Sequence, residues 1–262
     1  MPQVTYPILA ASTVLLTATL TLLWRQRQKM HGRKSDMVLC FGDSLTEGYH
    51  DVWRNARKSS ESNEINALRE VKAVKLHPYC IFLGECLADA ANDFSHQRRA
   101  RYAAHRAWSN WTTDQLLPML RREINAGPWR CCVILAGSND IVLGHPPSEV
   151  LERIRALWKV CDEQSLPVVV IPNPPAELWY HGWTEQGDES GKQRAKEKSR
   201  AMAELSRLVE AAALEEGRAV TPIMKQVGNG LEFFFDDALH LSPAGSDEMG
   251  WRVFNTIQSS DL

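Results

Sequence analysis

The 262-residue chain is 44% hydrophobic and 24% charged, with a formal net charge of −2. That balance excludes a disordered, collagenous or coiled-coil protein, and it offers no overall basic field for nucleic acid. The six cysteines (Cys40, Cys80, Cys86, Cys131, Cys132 and Cys161) form no CxxC pair and mostly sit in apolar runs, which reads as buried reduced thiols rather than a zinc or redox motif.

In chain order, the first feature is Pro7 to Trp24, eighteen residues without a charge. As a helix this run spans roughly 27 Å, enough for a bilayer's hydrocarbon core. No Lys or Arg precedes it, as a signal peptide requires, whereas Arg25, Arg27, Lys29, Arg33 and Lys34 follow it. The expectation is a membrane anchor over 7–24, a basic linker over 25–35 and a domain over 36–258 that faces the cytosol. A cleaved signal peptide and the secretory pathway form the alternative.

Met37 to Phe41 is a short apolar run that ends at Gly42. Further runs follow at Ala103 to Trp108 (interrupted by His105 and Arg106), Cys131 to Ala136, Val168 to Ile171 and Ala219 to Ile223. Helical patterns lie between them. One is expected from about Tyr79 to Ala91. Leu116, Leu117, Leu120 and Ile124 share a face after Thr113, and Gly127-Pro128 stops that helix. Ser148 is placed to cap a helix carrying Val150 to Cys161, which stops before Pro167. Met202, Leu205, Leu208, Val209 and Ala212 stripe another that closes at Gly217. Ser242-Pro243 opens the last, through Ile257, with proline at the first helical position. Strands alternating with helices predict an α/β domain with a central parallel sheet covered on both faces. The charged stretch 50–77 interrupts this pattern as an insert, either a solvated loop or a lid beside the first strand's end.

Ligands gather at the carboxyl ends of parallel strands. Gly42-Asp43-Ser44-Leu45-Thr46-Glu47-Gly48-Tyr49 follows the first strand, and Gly137-Ser138-Asn139-Asp140 follows the third. Asp236-Asp237-Ala238-Leu239-His240 precedes the final helix. A serine becomes a nucleophile when a base takes its proton, and His240 is a base if a carboxylate holds its other ring nitrogen. Asp237, three residues earlier, reaches back across one turn to do so, with Asp236 as its competitor. The Ser44 N–H and the Asn139 amide suit the oxyanion that develops on the substrate. Ser44 alone would read as a helix cap, and Asp43 as a brace of the turn. His31, His50, His77, His96, His105, His145 and His181 lack a comparable partner, which points to surface or core roles rather than catalysis. The aromatics in Asn173 to Trp183 either line a pocket or pack their own loop. Asp43, Asn139, Asp140 and Asp237 also permit a divalent metal and phosphoester cleavage.

The three blocks FGDSLTEGY, AGSND and DDALH, in this order, resemble those of the GDSL or SGNH hydrolases. The resemblance runs from about Asp36 to Ile257. It implies a flavodoxin-like three-layer α/β/α sandwich, the SGNH hydrolase fold, and a serine esterase or lipase. It also implies Ser44 as nucleophile, Asp237 and His240 as its partners, Asn139 in the oxyanion hole, and neither metal nor organic cofactor. One block departs. Where the family carries a glycine oxyanion donor in a G-x-S-G-x-T-T stretch, this chain reads Ala107-Trp108-Ser109-Asn110-Trp111-Thr112-Thr113. Asn110 falls on the glycine. Its backbone N–H serves as the donor, or its side chain crowds the hole and weakens the site.

The expectation is therefore a carboxylic ester hydrolase acting on a lipid or small acyl ester. Its rivals are a non-catalytic binding protein on the same fold and a metal-dependent phosphoesterase. The one glycosylation sequon, Asn110-Trp111-Thr112, falls inside the expected site, where a glycan would obstruct chemistry. That agrees with a cytosolic domain. Protease added to intact microsomes is accordingly expected to digest the domain, and protection would contradict the orientation.

Overall fold

The computed structural model describes residues 36–50, 75–92, 102–174, 189–222, 239–260 and 262. The expected anchor, the linker, Asp236, Asp237, most of the insert and the aromatic stretch beyond Pro174 lie outside the described residues. The compact unit that holds the rest runs from Asp36 to Leu262. No helix among the described residues is long and apolar enough to cross a membrane.

The elements, in order, are β1 (Met37–Gly42), α1 (Ser44–Glu47), β2 (Tyr49–His50), β3 (Lys75–Leu76), α2 (Tyr79–Asn92), β4 (Tyr102–Ala107) and α3 (Thr113–Ala126). They continue with β5 (Trp129–Leu135), α4 (Ser138–Val142), α5 (Pro147–Asp162), β6 (Val168–Val170), α6 (Glu189–Glu215), β7 (Ala219–Val220) and α7 (Pro243–Ser259). Five strands form one sheet in the order β4-β1-β5-β6-β7. All its pairings are parallel.

Helices cover both faces of the sheet, so its central strands are apolar without a break. Alternate residues divide between two cores. Leu39, Phe41, Cys132, Ile134, Val168 and Val170 meet Leu116 and Leu120 of α3, Leu157 and Trp158 of α5, and Met202 and Leu205 of α6. Val38, Cys40, Cys131, Val133, Leu135 and Val169 meet Leu83 and Leu87 of α2, and Met249 and Val253 of α7. All six cysteines are free thiols, and every one but the half-buried Cys86 is buried.

Taken in chain order, the main-sheet strands run second, first, third, fourth, fifth. Chain direction across the sheet therefore reverses between β1 and β5, and the crevice beyond the carboxyl ends of those two strands is the natural ligand site. Gly42 ends β1 there. A Cβ on it would lie 2.0 Å from the Leu135 carbonyl oxygen and 2.4 Å from Thr46 Oγ1, so only glycine lets β1, β5 and α1 meet so closely.

Two details differ from the sequence reading. The helix expected to start at Ser148 starts at Pro147 after Pro146, with a proline supplying the preset φ of the first helical residue. Ser148 is thus inside the first turn and is not the cap. The antiparallel pair β2–β3, Tyr49 opposite Leu76 and His50 opposite Lys75, closes the base of the insert. Each strand has two residues, too few to leave a periodic signal.

Candidate active site

The nucleophile turn is built from its own backbone. Asp43 caps α1, its side chain accepting from Leu45 N at 3.1 Å. Its carbonyl accepts from Thr46 N at 3.1 Å and Glu47 N at 3.0 Å. Gly48 closes the turn at φ 70°. Ser44 is then the first residue of a one-turn helix, and its N–H is among the donors that such a start leaves without an intrahelical acceptor.

His240 arrives from the far end of the chain, two residues before the Ser242 cap of α7, whose hydroxyl accepts from Gly245 N at 3.1 Å. Its Nε2 lies 3.0 Å from Ser44 Oγ. With Nε2 unprotonated, this is the geometry in which the hydroxyl donates to the ring and gives up its proton.

The loop after β4 forms the opposite wall. Trp108 N donates to Gly42 O at 3.1 Å, and Trp111 N to Trp108 O at 3.3 Å. Between them Asn110 adopts φ 65°, the left-handed conformation that glycine takes freely and asparagine tolerates at about 1 kcal/mol. The Asn110 N–H has no acceptor among the described residues. Asn110 is itself exposed, at the end of a loop whose preceding residues are only partly buried. Asn139 follows Gly137, which sits at φ 102°, and its side-chain amide donates to Trp111 O at 2.9 Å. An asparagine amide carries two N–H donors, so one remains for a ligand. The structure thus places Ser44, His240, Asn110 and Asn139 around the one crevice. Asp237 and Asp236 lie outside the described residues.

Several supporting contacts are not legible in the sequence. Asp140, fully buried, accepts from Thr113 N at 2.9 Å and Thr113 Oγ1 at 2.8 Å. Arg153 Nη1 completes its shell at 3.0 Å. Those partners turn the Asp140 carboxylate towards protein donors rather than a metal. Asn173 Nδ2 donates to Ser138 Oγ at 3.1 Å, and Ser206 Oγ donates to Asn173 O at 2.8 Å. His77 does have a carboxylate, Asp247 Oδ1 at 2.8 Å, which its sequence neighbourhood did not reveal. The two residues are 170 positions apart.

Asp43, buried beside Ser44, has a perturbed carboxyl. Burial pushes its pKa up to about 6, against the opposing pull of the Leu45 N–H, the Ser138 hydroxyl and His240, while Asp140 pushes it further up.

A family model described as GDSL-like lipase/acylhydrolase matches residues 40–247. Among solved structures, a lipase/acylhydrolase from Enterococcus faecalis is 19% identical, with 86% of this chain and 96% of that one covered at a TM-score of 0.56. A GDSL-like lipase from Bacteroides thetaiotaomicron is 15% identical, covering 90% and 97% at 0.55. TesA is 17% identical, covering 85% and 98% at 0.55. At these identities the likeness is one of fold. No curated protein matches the sequence significantly.

The Asp43 carboxyl gives a signed expectation. Its pKa is raised from 3.8 to about 6, so the folded protein holds a proton there that the unfolded chain has lost. The associated stability is complete below about pH 4 and declines as pH rises through about 6, by at most roughly 3 kcal/mol. Asp43→Asn keeps the cap but cannot ionise. Urea denaturation is expected to show the variant gaining on wild type between pH 4 and pH 7. A difference independent of pH would contradict this.

Proposed function

The chain belongs to the GDSL-like lipase/acylhydrolase family, and from that premise we propose that it hydrolyses carboxylic esters through an acyl-serine intermediate. The observation that carries the reading is the 3.0 Å approach of His240 Nε2 to Ser44 Oγ at the carboxyl end of β1.

In this mechanism Ser44 Oγ attacks the acyl carbon while its proton passes to His240 Nε2. The C–O bond to the leaving alcohol then breaks, and His240 hands the alcohol that proton. Water then attacks the acyl carbon while its proton passes to His240, and as the acyl–Oγ bond breaks His240 returns that proton to Ser44 Oγ, releasing the acid. Asp237 holds the other His240 nitrogen, a role that rests on its one-turn spacing in the sequence. The Ser44 N–H, the Asn110 N–H and the second Asn139 amide hydrogen stabilise the oxyanion. This reading needs neither metal nor organic cofactor.

The substrate we propose is a lipid or small acyl ester. An anchor over 7–24 would hold the crevice near acyl chains in a bilayer, and the support for that is the uncharged run and the basic residues behind it. Asn110 at φ 65° supports the active reading over a binding protein with a blocked hole, because the conformation is the one a glycine donor would use.

The test is steady-state hydrolysis of p-nitrophenyl esters of increasing acyl length. Ser44→Ala and His240→Ala are each expected to lower kcat by about 10⁴-fold or more. Asn139→Ala is expected to cost about 10²–10³-fold, as loss of one oxyanion donor does. EDTA should leave the rate unchanged. Activity that EDTA abolishes and Ser44→Ala spares would overturn the proposal in favour of a metal phosphoesterase.

A further inference from the structure

The oxyanion loop and the nucleophile turn come from segments some sixty residues apart, and one side chain ties them together. Glu47 closes α1 one turn after Ser44. Its Oε2 accepts from Ser109 N at 3.1 Å and also from Ser109 Oγ. Ser109 is the residue immediately before Asn110. A single carboxylate oxygen therefore takes both donors of the residue that sets Asn110's entry into its left-handed conformation. Among the described residues, both hydrogen bonds of the Glu47 side chain go to Ser109, so its part in the reaction is indirect.

The loop is anchored again on its far side. Asp140, which follows Asn139, holds Thr113 through both its N–H and its hydroxyl. Asn139 itself holds Trp111 O at 2.9 Å. The contacts from Asp140 and Asn139 fix the exit from Asn110. The entry rests on Trp108 N to Gly42 O, two residues away, and on Glu47. Among the described residues, Glu47 is the one side chain that tethers Ser109, the residue before Asn110.

We infer that Glu47 is a positioning residue for the oxyanion hole: it fixes Ser109 so that the Asn110 N–H stays aimed at the developing charge. The inference rests on the ester-hydrolase reading above. It requires an acceptor oxygen at position 47 rather than a negative charge, since both contacts are donations from Ser109. Glutamine keeps one such oxygen, which can accept both donors.

The experiment compares Glu47→Ala, Glu47→Gln and Ser109→Ala with wild type on p-nitrophenyl acetate, with melting temperatures recorded for each. Glu47→Ala is expected to lower kcat by about 10–100-fold, short of complete loss of a donor, with KM changed less than about threefold. Glu47→Gln should stay within about threefold of wild-type kcat. Ser109→Ala, which loses the hydroxyl but keeps the N–H, should fall between them. The double variant Glu47→Ala/Ser109→Ala should be no worse than Glu47→Ala alone, because both act through one contact. Wild-type kcat in Glu47→Ala would overturn the inference, as would a Glu47→Gln loss equal to that of alanine. So would losses that merely follow the melting temperature. If Glu47→Ala fails to fold, Ser109→Ala against Glu47→Gln decides by the same criteria. An inactive wild type would instead sink the esterase reading itself, so the two failures are distinguishable.

Discussion

The pairing of β1 with β4 on one side and β5 on the other fixes where the chain leaves the sheet, and most of the described groups in the crevice take their place from that point. Met37 to Gly42 run in register with Tyr102 to Ala107, and Gly42 lies opposite Leu135. The missing Cβ at Gly42 lets α1 begin against β5 without displacement. Ser44 then emerges two residues past the strand and Asn139 four residues past Leu135, on the two strands where connection direction reverses. Trp108 N donating to Gly42 O brings the Asn110 loop to the same place. One strand end, with its two neighbours, sets three of the four described groups.

A second layer of polar contacts holds these groups still. Asp43 and Asp140 are both fully buried carboxylates, a costly arrangement unless donors meet them. Asp140 is met by three, and hydrogen bonds to a charged group contribute about 1.5–3 kcal/mol each. Asp43 has fewer, which is why burial dominates its titration. The buried polar residues Ser138, Asn173 and Ser206 extend this layer beneath α4 towards α6. Such networks rigidify a site because every member is needed to satisfy its neighbours. The buried carboxyls lie beside the crevice, and the two cores are left apolar.

The architecture is legible in the sequence because its physical causes are local. Val38 to Phe41 and Cys131 to Leu135 are unbroken apolar runs, as strands covered on both faces must be, and Leu116, Leu120 and Ile124 repeat at helical spacing. The two-residue strands at the base of the insert carry no period. The start at Pro147 rather than Ser148 depends on which of two adequate residues the preceding chain delivers. Within the site, Ser44, Asn139 and His240 stand out because each lies in a motif just outside a regular element. Glu47 and Asp140 sit in the same motifs, but their partners, Ser109 and Thr113, are 62 and 27 residues away. Only the folded chain pairs them. The left-handed Asn110 falls between these cases. The residue type permits the conformation, and the tethers on either side of it select it.

The central claim is that Ser44 is an activated nucleophile. It is tested most directly by reaction with a fluorophosphonate, which needs such a serine but no knowledge of the natural ester. The adduct is then mapped by peptide mass spectrometry. One phosphonyl group is expected, on the peptide containing Ser44, and none in the His240→Ala variant. Folded wild-type protein that stays unmodified, or that carries the label on another residue, would contradict it.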